Sequence, residues 1–416
     1  MSSLMPRTLA VLLLTGATSA AFAQNTPVQV LRGTPAQPTP VAERTAFEVR
    51  DDGTFVAYGF VRDVGNTTGC ASSLPVSGAG TRFLWHPCRG SIRFGRVPTA
   101  QTNWDDANMD DFTFAGGNQV TASGYGAFSF GDQVVVSSTV GVGFGSGVTV
   151  SGTAGFSAGA SNVCSGFACT AIGYTTRASG QGSVALGYRT EAAADYSVAL
   201  GYRATTCTTG TQSANTCTTP RTGVFIWGDE STTTPVNAQF DNEFRIRAAG
   251  GIRLRTSANA SAAAGVGGNT GCDLPAGSGT FSCSSSRTIK TAFEAIDAQS
   301  LLAGIRALPL STWAYIEDTA GTRHLGPVAE DFFAQFGLGE GPNSIGAQDL
   351  ASLGLVGVQA LAERDEAHAR ELAALSERNA QLQAELQSSL ELQRELLQRL
   401  SALERRVSAS GNDHAH

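Results

Sequence analysis

Glycine returns every 14 residues through the middle of this chain, at Gly131, Gly145, Gly159, Gly173, Gly187 and Gly201. Immediately before them stand Phe130, Phe144, Ala158, Ile172, Leu186 and Leu200, and eight positions before them Ser123, Ser137, Ser151, Ser165, Ser179 and Ala193. The last two copies read SVALGYRTEAAADYSVALGYRA with little drift. A period this short cannot hold a pair of helices. It suits one coil of a β-solenoid, short strands separated by Gly and Ser at turns. One coil cannot bury its apolar stripe alone, so stacking and lateral association must do so. A flexible Gly/Ser linker would have no reason to keep apolar residues in register.

Composition agrees with stacked β-structure: 49 glycines against 15% charged residues. A net charge of −7 argues against nucleic acid as a partner, since phosphate binding needs a basic surface. At the start of the chain, Arg7 precedes the apolar run Leu9 to Leu14 and the small-residue tail Ala21-Phe22-Ala23. That pattern predicts a cleaved signal peptide over 1–23 and a mature chain from Gln24. The run is too short to span a bilayer, and no later segment offers about 18 uninterrupted apolar residues, so no transmembrane segment is expected in the mature chain. An exported protein follows, secreted or on the cell surface, with the periplasm as the alternative.

The eight cysteines fall into neighbouring couples, Cys70 with Cys88, Cys164 with Cys169, Cys207 with Cys217, and Cys272 with Cys283. An even count in an exported chain reads as disulfides, although sequence leaves the connectivity open. Zinc is the weaker rival, because the couples lie far apart and only Cys88, beside His86, has a nearby histidine. No metal or cofactor is expected.

Around the repeat the character changes. Residues 24–45 read as a disordered lead-in, with Pro35, Pro38 and Pro40 among small polar residues. Over 46–118 a β-rich cap is expected: Phe47-Glu48-Val49-Arg50 and Thr54-Phe55-Val56-Ala57 alternate about the turn Asp51-Asp52-Gly53, and Trp85, Phe94 and Trp104 follow. The repeat proper occupies 119–205. In the connector over 206–283, Phe244 to Arg247 and Ile252 to Arg255 flank Gly250-Gly251 and predict a second hairpin, and Ser257 to Gly279 reads as an Ala/Gly-rich stalk. Near the end, Leu372, Asn379, Leu386, Gln393, Leu400 and Val407 at a place Leu375, Leu382, Ser389, Leu396 and Leu403 at d. That is a coiled coil over 363–407, followed by a polar tail over 408–416. The polar a residues cost stability but fix register and oligomer number.

The S-x-A-x-G core and its period resemble the head repeats of trimeric autotransporter adhesins over about 120–204. The resemblance implies a left-handed parallel β-roll with three chains side by side. Downstream, Cys283-Ser284-Ser285-Ser286-Arg287-Thr288-Ile289-Lys290, Trp313, Tyr315, Arg323-His324-Leu325-Gly326-Pro327, Ala329-Glu330-Asp331-Phe332 and Phe336-Gly337-Leu338-Gly339 together resemble the peptidase S74 family over 284–362. Members are the intramolecular chaperones of phage tail spikes, which trimerise the chain and then cut themselves off before a serine paired with a lysine five residues on. The matching positions are Ser285 and Lys290, which places the scissile bond at Ser284–Ser285. Relatives carry Asp or Asn after the nucleophile, where this chain has Ser286. Arg287 matches a family arginine. His324 reads either as a group on the oxyanion side or as a structural hydrogen-bonding residue, the second being favoured.

A serine hydroxyl is a weak nucleophile until a base takes its proton, and a lysine serves once burial disfavours its ammonium form. Attack by Ser285 Oγ on the Ser284 carbonyl would give an ester that water hydrolyses, a single-turnover maturation step. The expected fold is therefore mainly β: a trimeric parallel β-solenoid, a small α/β chaperone domain and a trimeric coiled coil. The expected partner is a second and third copy of the chain, with a host-surface or extracellular ligand for the head. A phage-derived tail-fibre-like protein with an uncleaved, permanent cap is the alternative. A glycan hydrolase ranks last, for want of a defensible carboxylate pair in the repeat.

Overall fold

The structure is a computed structural model that describes residues 47–49, 55–57, 77–208, 217–258 and 263–412. The expected signal peptide, the expected lead-in, Cys70 and the last four residues of the tail lie outside them. The chain divides into two compact units, one ending at Ser284 and one beginning at Ser285.

In the first unit each 14-residue coil contributes one five-residue strand and one two-residue strand, as in Val184–Tyr188 and Glu191–Ala192. The long strands build an eleven-stranded sheet and the short ones an eight-stranded sheet. Neighbouring coils pair in parallel with residues 14 apart in register, for example Val184 with Val198 and Gly187 with Gly201. The eleven-stranded sheet begins with Gly80–His86 antiparallel to Ser91–Val97 and is parallel from there on. Phe47–Val49 and Phe55–Ala57 pair antiparallel as expected.

The core between the two sheets is thin and made of small residues. Ala171, Ala185 and Ala199 from the long strands meet Val136, Val150, Cys164, Ala178 and Ala192 from the short ones, all buried. Where Gly143 leaves room, Val134 and Val136 fill it, so volume is conserved from coil to coil. Asn162 replaces valine in one buried position and is satisfied by the carbonyls of Ala158 and Gly173 and the N–H of Thr176.

The glycine period has a steric cause. Gly131, Gly145, Gly159 and Gly173 all have φ between +120° and +138°, where L side chains are strained. A Cβ on each would also run into the carbonyl of the matching glycine one coil on. Each coil turns twice through left-handed backbone, but at those corners non-glycine residues are accepted, such as Gln133, Thr175, Arg189 and Arg203.

The large residues before each glycine lie outside this core. Phe130 and Ile172 are exposed, and Phe144, Leu186 and Leu200 are half-buried. A second outward column holds Phe114, Phe128, Val142, Phe156, Val184, Val198 and Phe225. Phe114 stacks on Phe128 within it, 4.4 Å between centroids, and a third column stacks Tyr188 on Tyr202 at 5.2 Å.

Two expectations are corrected. Phe244–Arg247 does not form a hairpin with the strand after it; it pairs in parallel with Phe225–Gly228 as the last rung of the long sheet. Gly251–Arg255 instead pairs antiparallel with Gly271–Pro275, inside the segment read as an Ala/Gly-rich stalk, and Ser282–Cys283 completes that three-stranded sheet. Local alternation marks both runs as strands, but partner choice follows the open ladder of the preceding coil.

The second unit holds α1 (Ala298–Ala307), α2 (Ala329–Phe336) and α3 (Ala347–Asn412), with a hairpin of Ser311–Trp313 and His324–Gly326. Asp297 caps α1 through the N–H groups of Gln299 and Ser300, and Gly337 ends α2 in the left-handed region. Leu302, Phe332, Leu353 and Ala360 form its small core, tied by Gln299 Nε2 donating to the Ala360 carbonyl at 3.2 Å. From Leu361 to Ser408 every side chain of α3 is exposed, the heptad leucines included. At 66 residues α3 is about 100 Å long, with the a/d seam of a coiled coil along it. Among the described residues no helix is long and apolar enough to cross a membrane.

Candidate functional site

Ser285 and Lys290 are brought together by one short turn. Ser286 caps a 3-10 turn over Arg287–Ile289, its side chain accepting from the Thr288 N–H, and Lys290 closes the turn through its own N–H to the Arg287 carbonyl. With about three residues per turn, the chain doubles back, and Lys290 Nζ donates to Ser285 Oγ at 2.7 Å. Ser, Asp and Asn are interchangeable as such caps, so Ser286 supplies locally what Asp or Asn would supply there. The capping role of Ser286 was missed in the sequence; its signal was the Ser-x-Thr spacing to Thr288, whose hydroxyl lies 2.8 Å from that of Ser286.

Both members of the pair are exposed in the single chain. General-base action needs a neutral amine, the form that desolvation favours. The geometry places the expected nucleophile and the expected base within hydrogen-bond reach, and water exclusion has to come from elsewhere.

Ser284 is fixed in the β unit. Its N–H donates to the Gly271 carbonyl at 2.9 Å, and its Oγ accepts from the Gly271 N–H at 3.2 Å. Arg287 stacks over the Phe293 ring, its guanidinium carbon 4.9 Å from the centroid. His324 sits against the Trp313 ring at 4.7 Å and edge-on to Tyr315 at 5.5 Å. Among the described residues no hydrogen bond joins His324 to Ser285 or Lys290.

Three cysteine couples are disulfides: Cys164–Cys169, Cys207–Cys217 and Cys272–Cys283. Cys88 is disulfide-bonded as well, while Cys70 lies outside the described residues. Among the described residues no cluster of three or more His, Cys, Asp or Glu side chains is placed to hold a metal ion.

These features define a β-solenoid joined to a small α/β unit and a long helix. Comparison with protein families agrees segment by segment. The YadA head domain repeat matches in two copies, over 170–190 and 178–204. The family described as chaperone of endosialidase, peptidase S74, matches over 285–337. Both families are homotrimeric. A search of curated proteins finds no match to the chain. Together the two matches support a trimeric adhesin or tail-fibre-like protein, and adhesin-type repeats with disulfides point to an extracellular or surface location.

Proposed function

We propose that this chain is an exported homotrimeric fibre, adhesin-like in its head. In this reading the C-terminal unit gathers three copies and then releases itself by cleavage at Ser284–Ser285. The observation that carries it is positional. The dyad opens the second unit at the residue where the compact β unit ends, so one cut there would separate the two without breaking a strand or a disulfide. Two apolar surfaces support the trimer: the outward columns of the long sheet, exposed or half-buried in one copy, and the heptad seam of α3, exposed along its length. A solvated leucine seam is costly until partners cover it.

The order follows from contact range. The helices meet first because their contacts are local, and the raised local concentration then aligns three solenoids, whose parallel pairings are slow to form. Neighbouring copies supply the desolvation that Lys290 lacks alone. Ser285 Oγ then attacks the Ser284 carbonyl, Lys290 takes the hydroxyl proton and passes it to the departing Ser285 amine, and water hydrolyses the ester. Removing the assembly unit leaves the fibre kinetically trapped. The head carries the ligand surface for a host-surface or extracellular partner.

Intact-mass spectrometry of the mature chain, beside Ser285→Ala and Lys290→Ala, tests this. Two fragments meeting at Ser284–Ser285 in the wild type alone are expected. One uncut species in all three would make the unit a permanent trimeric cap and remove the self-cleavage.

A further inference from the structure

We infer that the Cys272–Cys283 disulfide is a positioning element for the cut, so that self-cleavage runs only when this pair is oxidised. The inference rests on the self-cleavage reading above. The last strand before the bond, Ser282–Cys283, is a two-residue, exposed edge strand with one neighbour and no buried side chain to anchor it. It pairs with Cys272 and Asp273, and the disulfide lies across the directly opposed couple Cys272 and Cys283. One residue later, the reciprocal bonds between Ser284 and Gly271 continue the same clamp. The residue that supplies the scissile carbonyl is therefore held through a crosslink one position away, while Ser285 and Lys290 are fixed by their own turn.

Attack needs the hydroxyl oxygen at about 3–3.5 Å from the carbonyl carbon in the right orientation, and small misplacements cost large factors in rate. With the thiols free, the two-residue strand and Ser284 fray together and the carbonyl is no longer presented. The chemistry is unchanged: the Ser284 C–N bond breaks, the C–O ester forms, and water completes the release. What changes is how often the carbonyl is in place. Thiols stay reduced in the cytosol and are oxidised after export, so the clamp confines cutting to the oxidising side. After the cut, the new C-terminus at Ser284 stays pinned by the adjacent disulfide.

The test refolds the full mature chain in glutathione buffers of graded potential and follows the fragment beginning at Ser285 by mass spectrometry. Trimer formation is read by light scattering and the redox state of each couple by thiol alkylation. Cys272→Ser/Cys283→Ser should slow cutting at least tenfold with the trimer intact, and Cys207→Ser/Cys217→Ser should not. In the wild type, the cutting rate should track the oxidised fraction of the Cys272–Cys283 couple and recover on reoxidation. If the Cys272→Ser/Cys283→Ser chain fails to trimerise, that titration decides alone. Equal cutting in the two double variants, or cutting independent of the couple's redox state, overturns the clamp and leaves self-cleavage standing. A wild type that stays whole under every condition overturns both.

Discussion

The solenoid and α3 solve the same problem from opposite ends. In the solenoid, the parallel long strands bond to partners 14 residues or more away, and the core is closed within one copy chiefly by alanine and valine. In α3 the hydrogen bonds are local, and from Leu361 to Ser408 nothing apolar is buried within one copy. The solenoid is cooperative but repetitive: the coils around Gly187 and Gly201 are nearly identical, so three such chains could slip by one coil at little energetic cost. The helix forms quickly and carries polar Asn379 and Gln393 among its a positions, which mark register. In the proposed function one region stores stability and the other alignment, the division of labour that a detachable assembly unit requires.

The largest test of that division removes alignment. Leu375→Lys with Leu382→Lys puts charge into the seam of α3. Light scattering is expected to find monomers at concentrations where the proposal has the wild type trimeric, with the solenoid β-signal reduced in circular dichroism. A trimer with full β-structure would mean the solenoids align without the helix.

A matched pair of glycines comes next. Gly173 has φ +128° and its Cβ would strike the Gly187 carbonyl, whereas Gly354 lies exposed in α3 with nothing nearby. Gly173→Ala should cost about 3 kcal/mol through strain and overpacking. Gly354→Ala should gain up to about 1 kcal/mol. Thermal unfolding of both variants checks the pair, and similar effects at the two sites would break the comparison.

These glycines also show what was legible. The period could be read because the backbone needs glycine once per coil whatever surrounds it. Gly117, 14 residues before Gly131, carried the same signal and extends the array, with Phe114–Asn118 pairing to Phe128–Asp132. The last rungs were hidden because the register steps lengthen: Val198 pairs with Phe225, a step of 225 − 198 = 27, and Phe225 with Phe244, a step of 244 − 225 = 19. The insertion in the first of these contains the Cys207–Cys217 disulfide. At the dyad, the spacing of Ser285 and Lys290 was visible. The hold of Gly271 on Ser284 was not, because it depends on a strand pairing that local alternation could not assign.

Two smaller effects sharpen the account within the solenoid. Asp229 ties off the final rungs, held at about 2 chiefly by the Ala249 N–H, with Ser231 and Arg247 adding to it. A depressed carboxylate stabilises the fold above its ordinary value of 3.8, and that contribution is lost as pH falls through about 2. Asp229→Asn should therefore lower Tm at neutral pH, with the difference from wild type closing across that acid window. Glu191 behaves oppositely: burial raises its pKa from 4.5, with Arg177 at 3.9 Å only partly compensating. Its stabilising contribution is complete below 4.5 and is lost as pH rises through the folded value. Glu191→Gln should be slightly more stable than wild type at neutral pH and equal to it in acid, again read as Tm.

The order of events tests the central claim most directly. Native mass spectrometry during refolding of the mature chain should show uncut trimer first, then trimer that has lost the Ser285–His416 fragment. A cut monomer appearing before any trimer would contradict the account.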